Sequence, residues 1–153
     1  MLDGSTTDER WMRRALELAR NAAERGEVPV GCVIVRDGCV LGEASNRCAE
    51  LTDPTAHAEM VALRQAFARA GEGRLPGAEV FVTLEPCFMC AGALLHARVR
   101  RIVQATRDPK FGACGSLARL PEDRRLNHRC ELVDGPGQEE SAEMLREFFR
   151  ARR

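Results

Sequence analysis

The sequence predicts an α/β protein in three layers, with a mixed five-stranded sheet between helices on both faces. Three observations support this fold class. The middle of the chain alternates strand and helix patterns with short connections, which favours parallel strands joined by crossover helices. A hairpin pattern precedes that alternation, so part of the sheet is expected to be antiparallel. Amphipathic helix patterns lie at both ends, and the length of 153 residues is typical of one domain, which we expect over residues 1–153.

The first element is predicted to be an amphipathic helix over residues 6–26. Thr6 and Glu9 have the spacing of a capping box, and apolar residues then recur on one helix face. Gly26 follows the last apolar position and marks the end of the helix. Trp11 lies on the apolar side of this pattern, and we expect it to pack in the core.

A β-hairpin is predicted over residues 28–46. Two apolar runs are joined there by Asp37-Gly38, a dipeptide typical of a two-residue hairpin turn. Counted from that turn, Cys32 pairs with Glu43 in the opposite strand. Cys32 and Cys39 are therefore not expected to be neighbours.

The remaining elements follow at short intervals. The patterns predict helices over 55–71, 85–98 and 138–153, and strands over 78–84, 100–106 and 129–135. Pro86 falls near the first turn of its helix, where proline is tolerated. Residues 107–128 form the longest irregular stretch, and such a loop in a compact domain is usually functional or mobile.

Composition limits the classes of function. The formal net charge is zero, so overall charge indicates neither nucleic acid nor membrane as a partner. Arginine far outnumbers lysine, which suits contacts with phosphates and bases, but genome composition is the favoured explanation of so uniform a bias. No secretory signal and no membrane-spanning apolar run is recognised, so we expect a cytoplasmic protein without a membrane partner. The seven cysteines are an odd number and mostly scattered, which favours thiols or metal ligands over a disulfide framework.

One histidine, one carboxylate and one cysteine pair have the spacing of a catalytic metal site. His57 and Glu59 lie near the start of one predicted helix, and Cys87 and Cys90 lie near the start of the next. Three such ligands leave one zinc position open, as catalytic sites do. The pattern His57-x-Glu59 with Pro86-Cys87-x-x-Cys90 fits the signature of zinc nucleobase deaminases, a class that includes tRNA adenosine deaminases. In such a site zinc lowers the pKa of bound water from about 16 to about 7, and the glutamate shuttles protons.

The spacing of His57 and Glu59 raises a geometric difficulty. Residues two apart point to opposite sides of a regular helix. We therefore expect His57 to lie where the chain is just entering the helix, so that both side chains can reach the same water.

Other interpretations of the cysteines remain open from the residues alone. Cys87 and Cys90 could form a redox pair or fill the core. A structural zinc site would need a fourth ligand, for which the other cysteines are available: Cys32, Cys39, Cys48, Cys114 and Cys130. We interpret these five as small core or loop residues.

Longer stretches of the chain resemble the bacterial tRNA-specific adenosine deaminases of the cytidine deaminase-like superfamily. The similar segments are VPVGCVIV, DPTAHAEMVALR, VTLEPCFMCAGALLHARV, RDPKFGACGSL, LNHRCEL and FFRARR. The resemblance implies the cytidine deaminase-like fold and hydrolytic conversion of adenosine to inosine at the wobble position of a tRNA anticodon. It further implies a homodimer that binds the anticodon stem-loop, with one zinc ion per subunit and no organic cofactor.

The resemblance also implies roles for individual residues. His57, Cys87 and Cys90 would bind zinc, and Glu59 would transfer protons. The substrate-binding residues would be Val30, Asn46, Leu84, Asp108, Lys110, Phe149 and Arg153.

Within that set, Val30 would wall the base pocket and Asn46 would hydrogen-bond the flipped nucleoside, with the backbone near Leu84 against the base. Asp108 and Lys110 would contact the neighbouring nucleotides, and the last helix would contact the anticodon loop. Asn46 and the Asp108-Pro109 pair could instead be turn formers.

Two departures from the family pattern concern substrate range. Phe88 places a large ring between the cysteines, and residues 104–106 replace a small, glycine-containing strand end. Both are expected to reshape the pocket rim or the dimer contact. The alternatives are a deaminase of free guanine, cytidine or a deoxynucleotide, and a zinc-stabilised RNA-binding module without catalysis.

Overall fold

The computed structural model describes residues 6–152 and contains the predicted elements in the predicted order. In chain order they are α1 (Thr7–Glu24), β1 (Gly31–Arg36), β2 (Cys39–Ser45), α2 (Cys48–Leu51), α3 (Ala58–Ala70), β3 (Glu79–Leu84), α4 (Phe88–His96), β4 (Arg101–Thr106), a 3₁₀ turn (Leu120–Glu122), β5 (Glu131–Asp134) and α5 (Gln138–Arg150). The short helix α2 and the 3₁₀ turn are additional to the prediction. None of the helices in this part of the chain has the length and apolar character needed to cross a membrane.

The five strands form one mixed sheet in the order β2-β1-β3-β4-β5. Strand β1 is antiparallel to both β2 and β3, whereas β3, β4 and β5 are parallel. The predicted α/β class with a mixed five-stranded sheet is therefore confirmed. The carboxyl ends of β3 and β4 lie at the same edge of the sheet, where α/β proteins usually place their binding sites.

Helices cover both faces of the sheet. Alternate strand residues pack with α1 and α5 on one face and with α3 and α4 on the other. Two glycines let the helices approach the backbone closely. A Cβ atom at Gly31 would lie 1.9 Å from the Ala15 carbonyl oxygen of α1, and one at Gly42 would lie 2.2 Å from the Ala62 carbonyl oxygen of α3.

The predicted hairpin register is wrong by one residue beyond the turn. Strands β1 and β2 shift register between Ile34 and Val35, so Cys32 lies opposite Ala44 and not opposite Glu43. The shift places Gly42 opposite Ile34, on the face that packs against α3. A regular hairpin would place Leu41 there, where no side chain fits. The bulge therefore follows from the close approach of α3.

The ends of α1 agree with the prediction. The hydroxyl oxygen of Thr6 accepts a hydrogen bond of 3.1 Å from the backbone N–H of Glu9. Trp11 is only partly buried and packs against the edge of the core. Its expected place in the core is thus confirmed in part.

Two predicted helices begin later than expected. The helix predicted from residue 55 begins at Ala58, because the Asp53 carboxylate accepts hydrogen bonds from the Thr55 N–H and hydroxyl at 2.8 and 2.7 Å. That turn keeps the chain out of the helix for one further turn. The helix predicted from residue 85 begins at Phe88, since the residue before Pro86 is disfavoured in the helical conformation. These later starts decide the geometry of the site.

Candidate active site

Two helix starts meet at the edge of the sheet and carry the predicted metal ligands. His57 is the N-cap of α3 with φ −66° and ψ 154°, and Cys87 is the N-cap of α4 with φ −75° and ψ 178°. Both residues are therefore extended, just outside their helices. Glu59 and Cys90 lie in the first turns that follow. The extended backbone at His57 removes the geometric difficulty of the His-x-Glu spacing, as expected.

The three candidate ligands converge. The distance from His57 Nδ1 is 3.7 Å to Cys87 Sγ and 3.5 Å to Cys90 Sγ. The ligand atoms of the three residues all lie within 4.8 Å of one another, so that the group could hold a metal ion. No fourth histidine, cysteine or carboxylate of residues 6–152 joins the group. A closed four-ligand site is thus not formed by the described part of the chain.

The two thiols and the imidazole interact electrostatically. A hydrogen bond from Cys90 lowers the pKa of the Cys87 thiol to about 4, although its partial burial opposes the shift. The same hydrogen bond, together with burial, raises the pKa of Cys90. Hydrogen bonding with Cys87 raises the pKa of His57. A thiolate at a helix N-terminus is further favoured by the helix dipole. The site therefore favours the thiolate form at Cys87, and the thiolate is the form that binds metals.

Glu59 is a buried carboxyl group beside this cluster. It is 4% exposed, and burial raises the pKa of its carboxyl group to about 7, while the charge of His57 opposes the increase. A carboxyl group with this pKa can accept and donate a proton near neutral pH. Glu59 is thus chemically suited to proton transfer at this position.

These residues form part of a pocket of about 380 Å³. Its lining combines apolar side chains with a few polar ones: Val28, Val30, Asn46, Cys48, His57, Ala58, Glu59, Leu84, Glu85, Cys87, Asp108 and Phe111. Four of the seven predicted substrate-binding residues are in this lining, namely Val30, Asn46, Leu84 and Asp108. Cys90 is completely buried beneath it.

Asn46 is held in place by neighbouring side chains. Its side-chain amide donates a hydrogen bond of 3.2 Å to the Glu27 carboxylate, and its oxygen accepts one of 3.2 Å from the Cys48 thiol. Glu27 also accepts hydrogen bonds from the N–H groups of Ala49 and Glu50 at the start of α2. Asn46 therefore takes part in local structure and faces the pocket as well.

The loop after β4 carries two further predicted residues. The Asp108 carboxylate accepts hydrogen bonds from the N–H groups of Lys110 and Phe111 at 3.0 and 3.3 Å, so Asp108 is a turn former in addition to lining the pocket. Lys110 is exposed and lies outside the pocket lining. The interpretation of Asp108 as a turn former is thus confirmed, and its contact with a neighbouring nucleotide stays a prediction.

The end of α5 lies outside the pocket lining. Phe148 is buried and Phe149 is 48% exposed, with the two rings edge to face and their centroids 5.3 Å apart. The Arg152 guanidinium lies 3.5 Å from the Phe148 ring centroid and donates a hydrogen bond to the Phe148 carbonyl oxygen. Arg153 lies outside the described residues, so its predicted RNA contact is not addressed by the structure.

Five pocket residues were missed from the sequence: Val28, Cys48, Ala58, Glu85 and Phe111. The sequence does contain a signal for Phe111, because it is a large aromatic residue next to Lys110, the only lysine in the sequence, in an irregular segment. Cys48 is predicted from the sequence to be a core or loop residue, and no local sequence pattern indicates that it lies beside Asn46 in the pocket.

The two departures from the family pattern lie outside the pocket lining. Phe88 is 48% exposed at the start of α4. The Gln104 side chain donates hydrogen bonds to the Cys114 carbonyl oxygen at 2.8 Å and to Asp134 at 3.2 Å. The altered strand end therefore contacts the loop that follows it and not the pocket itself.

Comparisons with known proteins agree with this geometry. The family model of MafB19-like deaminases matches residues 6–153. A tRNA-specific adenosine deaminase of Agrobacterium fabrum is 48% identical over 143 residues, which cover 94% of each chain. A solved structure from studies of A-to-I editing by tRNA:A34 deaminases at the wobble position of transfer RNA has a TM-score of 0.85 and 46% identity, covering 89% of this chain and 99% of that one. The guanine deaminase of Nitrosomonas europaea has a TM-score of 0.76 and 25% identity, covering 94% of this chain and 85% of its own. The chain therefore belongs to the family of tRNA-specific adenosine deaminases.

Proposed function

We propose that the protein converts adenosine to inosine at the wobble position of a tRNA anticodon by zinc-dependent hydrolytic deamination. The observation that carries this function is the convergence of His57, Glu59, Cys87 and Cys90 on one pocket at the edge of the sheet. The much higher identity to an adenosine deaminase than to a guanine deaminase supports adenosine as the reacting base.

The three ligands fit zinc by chemistry and by spacing. Imidazole nitrogen and thiolate sulfur are preferred zinc ligands, and bonds of about 2.1 and 2.3 Å at tetrahedral angles separate them by about 3.6 Å. The observed separations of 3.7 and 3.5 Å agree with that value. When bound, zinc supplies activated water as the nucleophile, because it lowers the pKa of water to about 7. His57, Cys87 and Cys90 would hold it and leave one position open.

Glu59 is the proposed proton-transfer residue. Its carboxylate would accept the two protons of the attacking water in turn, and would deliver the first to the ring nitrogen and the second to the departing ammonia. Its carboxyl group lies in the pocket wall, and burial raises the pKa of that group. Both protonation states are therefore accessible near neutral pH. A merely structural metal site would have no use for this carboxyl group.

The walls of the pocket support recognition of a single base removed from its stack. Val30 and Leu84 provide apolar contacts, and the Asn46 amide provides a fixed polar group. Enzymes that modify a base must first extrude it or act on unpaired nucleotides, and an anticodon loop offers such nucleotides. Asp108 and Lys110 would meet the neighbouring nucleotides, and the exposed Phe149 could stack on a base further along.

The proposal extends to the assembly of the protein. Residues 1–153 would form one catalytic domain that works as a cytoplasmic homodimer, with one zinc ion per subunit and no organic cofactor. Leu51 and Phe88 are 45% and 48% exposed, and a subunit interface would remove such apolar surface from water. Sedimentation equilibrium tests the dimer, and a mass equal to one chain would contradict it.

The substrate class is tested with an anticodon stem-loop that carries adenosine at its first anticodon position. Adenosine, cytidine and free guanine serve as parallel substrates at equal concentration. We expect deamination of the stem-loop and little turnover of the free compounds, because the contacts outside the pocket then contribute binding energy. Turnover of a free nucleoside or base without turnover of the stem-loop would identify the alternative deaminase function instead.

A further inference from the structure

A single buried carboxylate, that of Glu85, anchors the loop of residues 107–117. Glu85 follows β3 and is 2% exposed. One of its oxygens accepts hydrogen bonds from the N–H of Asp108 at 2.9 Å and from the Ser116 hydroxyl. The other accepts from the N–H groups of Cys114 and Ser116 at 3.0 and 2.9 Å. All four donors belong to the loop, and they come from both of its ends.

The loop backbone also lies directly on this carboxylate. A Cβ atom at Gly112 would come within 2.3 Å of the Glu85 carboxylate, so only glycine allows the contact. The N–H of Ala113 donates a hydrogen bond of 2.9 Å to the carbonyl oxygen of Pro86, next to the predicted metal ligand Cys87. The loop is therefore fastened to the segment that also carries the metal ligands.

The anchored loop forms one wall of the pocket. Asp108 and Phe111 line the pocket, and Phe111 is 67% exposed beside Lys110. Packing contributes little to holding Phe111 in that position, since 67% of its surface is exposed to solvent. Its placement depends on the loop backbone, and the loop backbone depends on Glu85.

We propose that Glu85 is a positioning residue for RNA: it holds the loop of residues 107–117 in a preformed shape that receives the nucleotides flanking the target adenosine. This inference rests on the proposed function. If the loop is already ordered before RNA binds, association carries no entropic cost of ordering it. If the loop is loosened, only a fraction of the molecules has the shape that binds RNA, and the apparent affinity falls in proportion to that fraction. Glu85 thus acts on substrate binding and not on the chemical step.

A merely structural role makes a different prediction. If Glu85 only stabilised the fold, its substitution would lower the melting temperature and leave KM and kcat of the folded protein unchanged. The ratio of the effects on KM and kcat therefore separates the two roles.

Two substitutions of graded strength test the positioning role. Glu85→Gln replaces one acceptor oxygen by an NH₂ group. Two of the four hydrogen bonds are then lost, and the new NH₂ group faces two donor groups of the loop. Ser116→Ala removes a single hydrogen bond at the exposed side of the loop and provides a test even where Glu85→Gln does not fold. Asp8→Asn is the matched control, because Asp8 accepts two hydrogen bonds from Arg101 at the opposite end of the sheet.

The measurements are kcat and KM on the anticodon stem-loop, and amide hydrogen exchange of the RNA-free protein. We expect KM to rise about 3-fold in Ser116→Ala and at least about 10-fold in Glu85→Gln, with kcat within about 2-fold of wild type. The amides of Asp108 and Cys114 should exchange faster in both variants, and Asp8→Asn should change neither KM nor these amides.

Three outcomes would overturn the positioning role. The first is unchanged protection of the loop amides, and the second is faster exchange with an unchanged KM. The third is a fall in kcat without a rise in KM. Absence of inosine formation by the wild-type protein would instead refute the proposed function, and the exchange measurement would still report whether Glu85 orders the loop.

Discussion

Two groups of residues differ in how they are held. The floor comprises His57, Glu59 and Cys87 in the pocket lining and Cys90 buried beneath it. The rim comprises the proposed RNA contacts Asp108 and Phe111 in the lining and Lys110 and Phe149 outside it. The floor lies on the first residues of α3 and α4, which pack against the sheet, and Glu59 and Cys90 are buried. The rim lies on a loop and a helix end, where Phe111 and Phe149 are 67% and 48% exposed. The chemical groups are thus placed by core packing, whereas the loop of residues 107–117 is placed by hydrogen bonds.

This difference predicts a gradient of mutational effects. Substitutions in the floor should greatly reduce the reaction, because each group is proposed either to bind zinc or to transfer protons. Substitutions in the rim should change affinity by small factors, because RNA contacts are spread over several side chains.

The largest effect is expected for Cys90→Ala in the floor. Two remaining ligands cannot hold zinc tightly, so the metal content should fall to background. Activity should fall by more than about 10²- to 10⁴-fold, which is the typical contribution of proton transfer alone. Metal analysis by mass spectrometry and inosine formation provide the readout. Cys39→Ala, at an exposed thiol, is the control and should keep both. Full metal content in Cys90→Ala would remove Cys90 from the ligand set.

Glu59→Gln should separate catalysis from metal binding. The amide has the same shape but cannot accept the proton, so kcat should fall about 10²- to 10⁴-fold while the zinc content stays at one ion per subunit. Glu50→Gln, at an exposed carboxylate of α2, is the control. An unchanged kcat in Glu59→Gln would exclude Glu59 as the proton-transfer residue.

The effect of Asn46→Ala on activity is expected to be smaller than that of a floor substitution and larger than that of a rim substitution. Loss of a fixed polar group in the pocket should lower kcat/KM on the stem-loop by about 10- to 100-fold, with zinc retained. Asn21→Ala, on the exposed side of α1, is the control. If Asn46 only formed a turn, the melting temperature would fall and kcat/KM would not.

The smallest effect is expected for Arg150→Ala near the end of α5. Removing one phosphate contact should weaken stem-loop binding about 2- to 5-fold and reduce the slope of log K against log salt by about one, without changing zinc content. Arg74→Ala, at an exposed position in the turn before β3, is the control. Binding that is insensitive to salt would show that the last helix is not an RNA contact.

The floor could be predicted from the sequence because its signals are local. The spacing of His57 to Glu59 and of Cys87 to Cys90 is short, and the residue types restrict the chemistry to a few classes. The extended N-cap at His57 was also predictable, since regular helix geometry would separate it from Glu59.

The rim and the register could not be predicted in the same way, because they depend on contacts between distant segments. Nothing near Glu85 in the sequence indicates that its carboxylate accepts hydrogen bonds from residues 108 to 116. The register shift in the hairpin follows from the approach of α3 to Gly42, a contact that the Asp37-Gly38 turn does not reveal.

Deamination at the wobble position of tRNA can be observed on bulk tRNA. The wild-type protein and Glu59→Gln, each loaded with zinc, are incubated with unmodified bulk tRNA, and the first anticodon nucleoside is identified by mass spectrometry of nuclease fragments. We predict inosine at that position after incubation with the wild-type protein, and adenosine after incubation with the variant. Adenosine left intact by the zinc-loaded wild-type protein, or inosine formed equally by Glu59→Gln, would contradict the account.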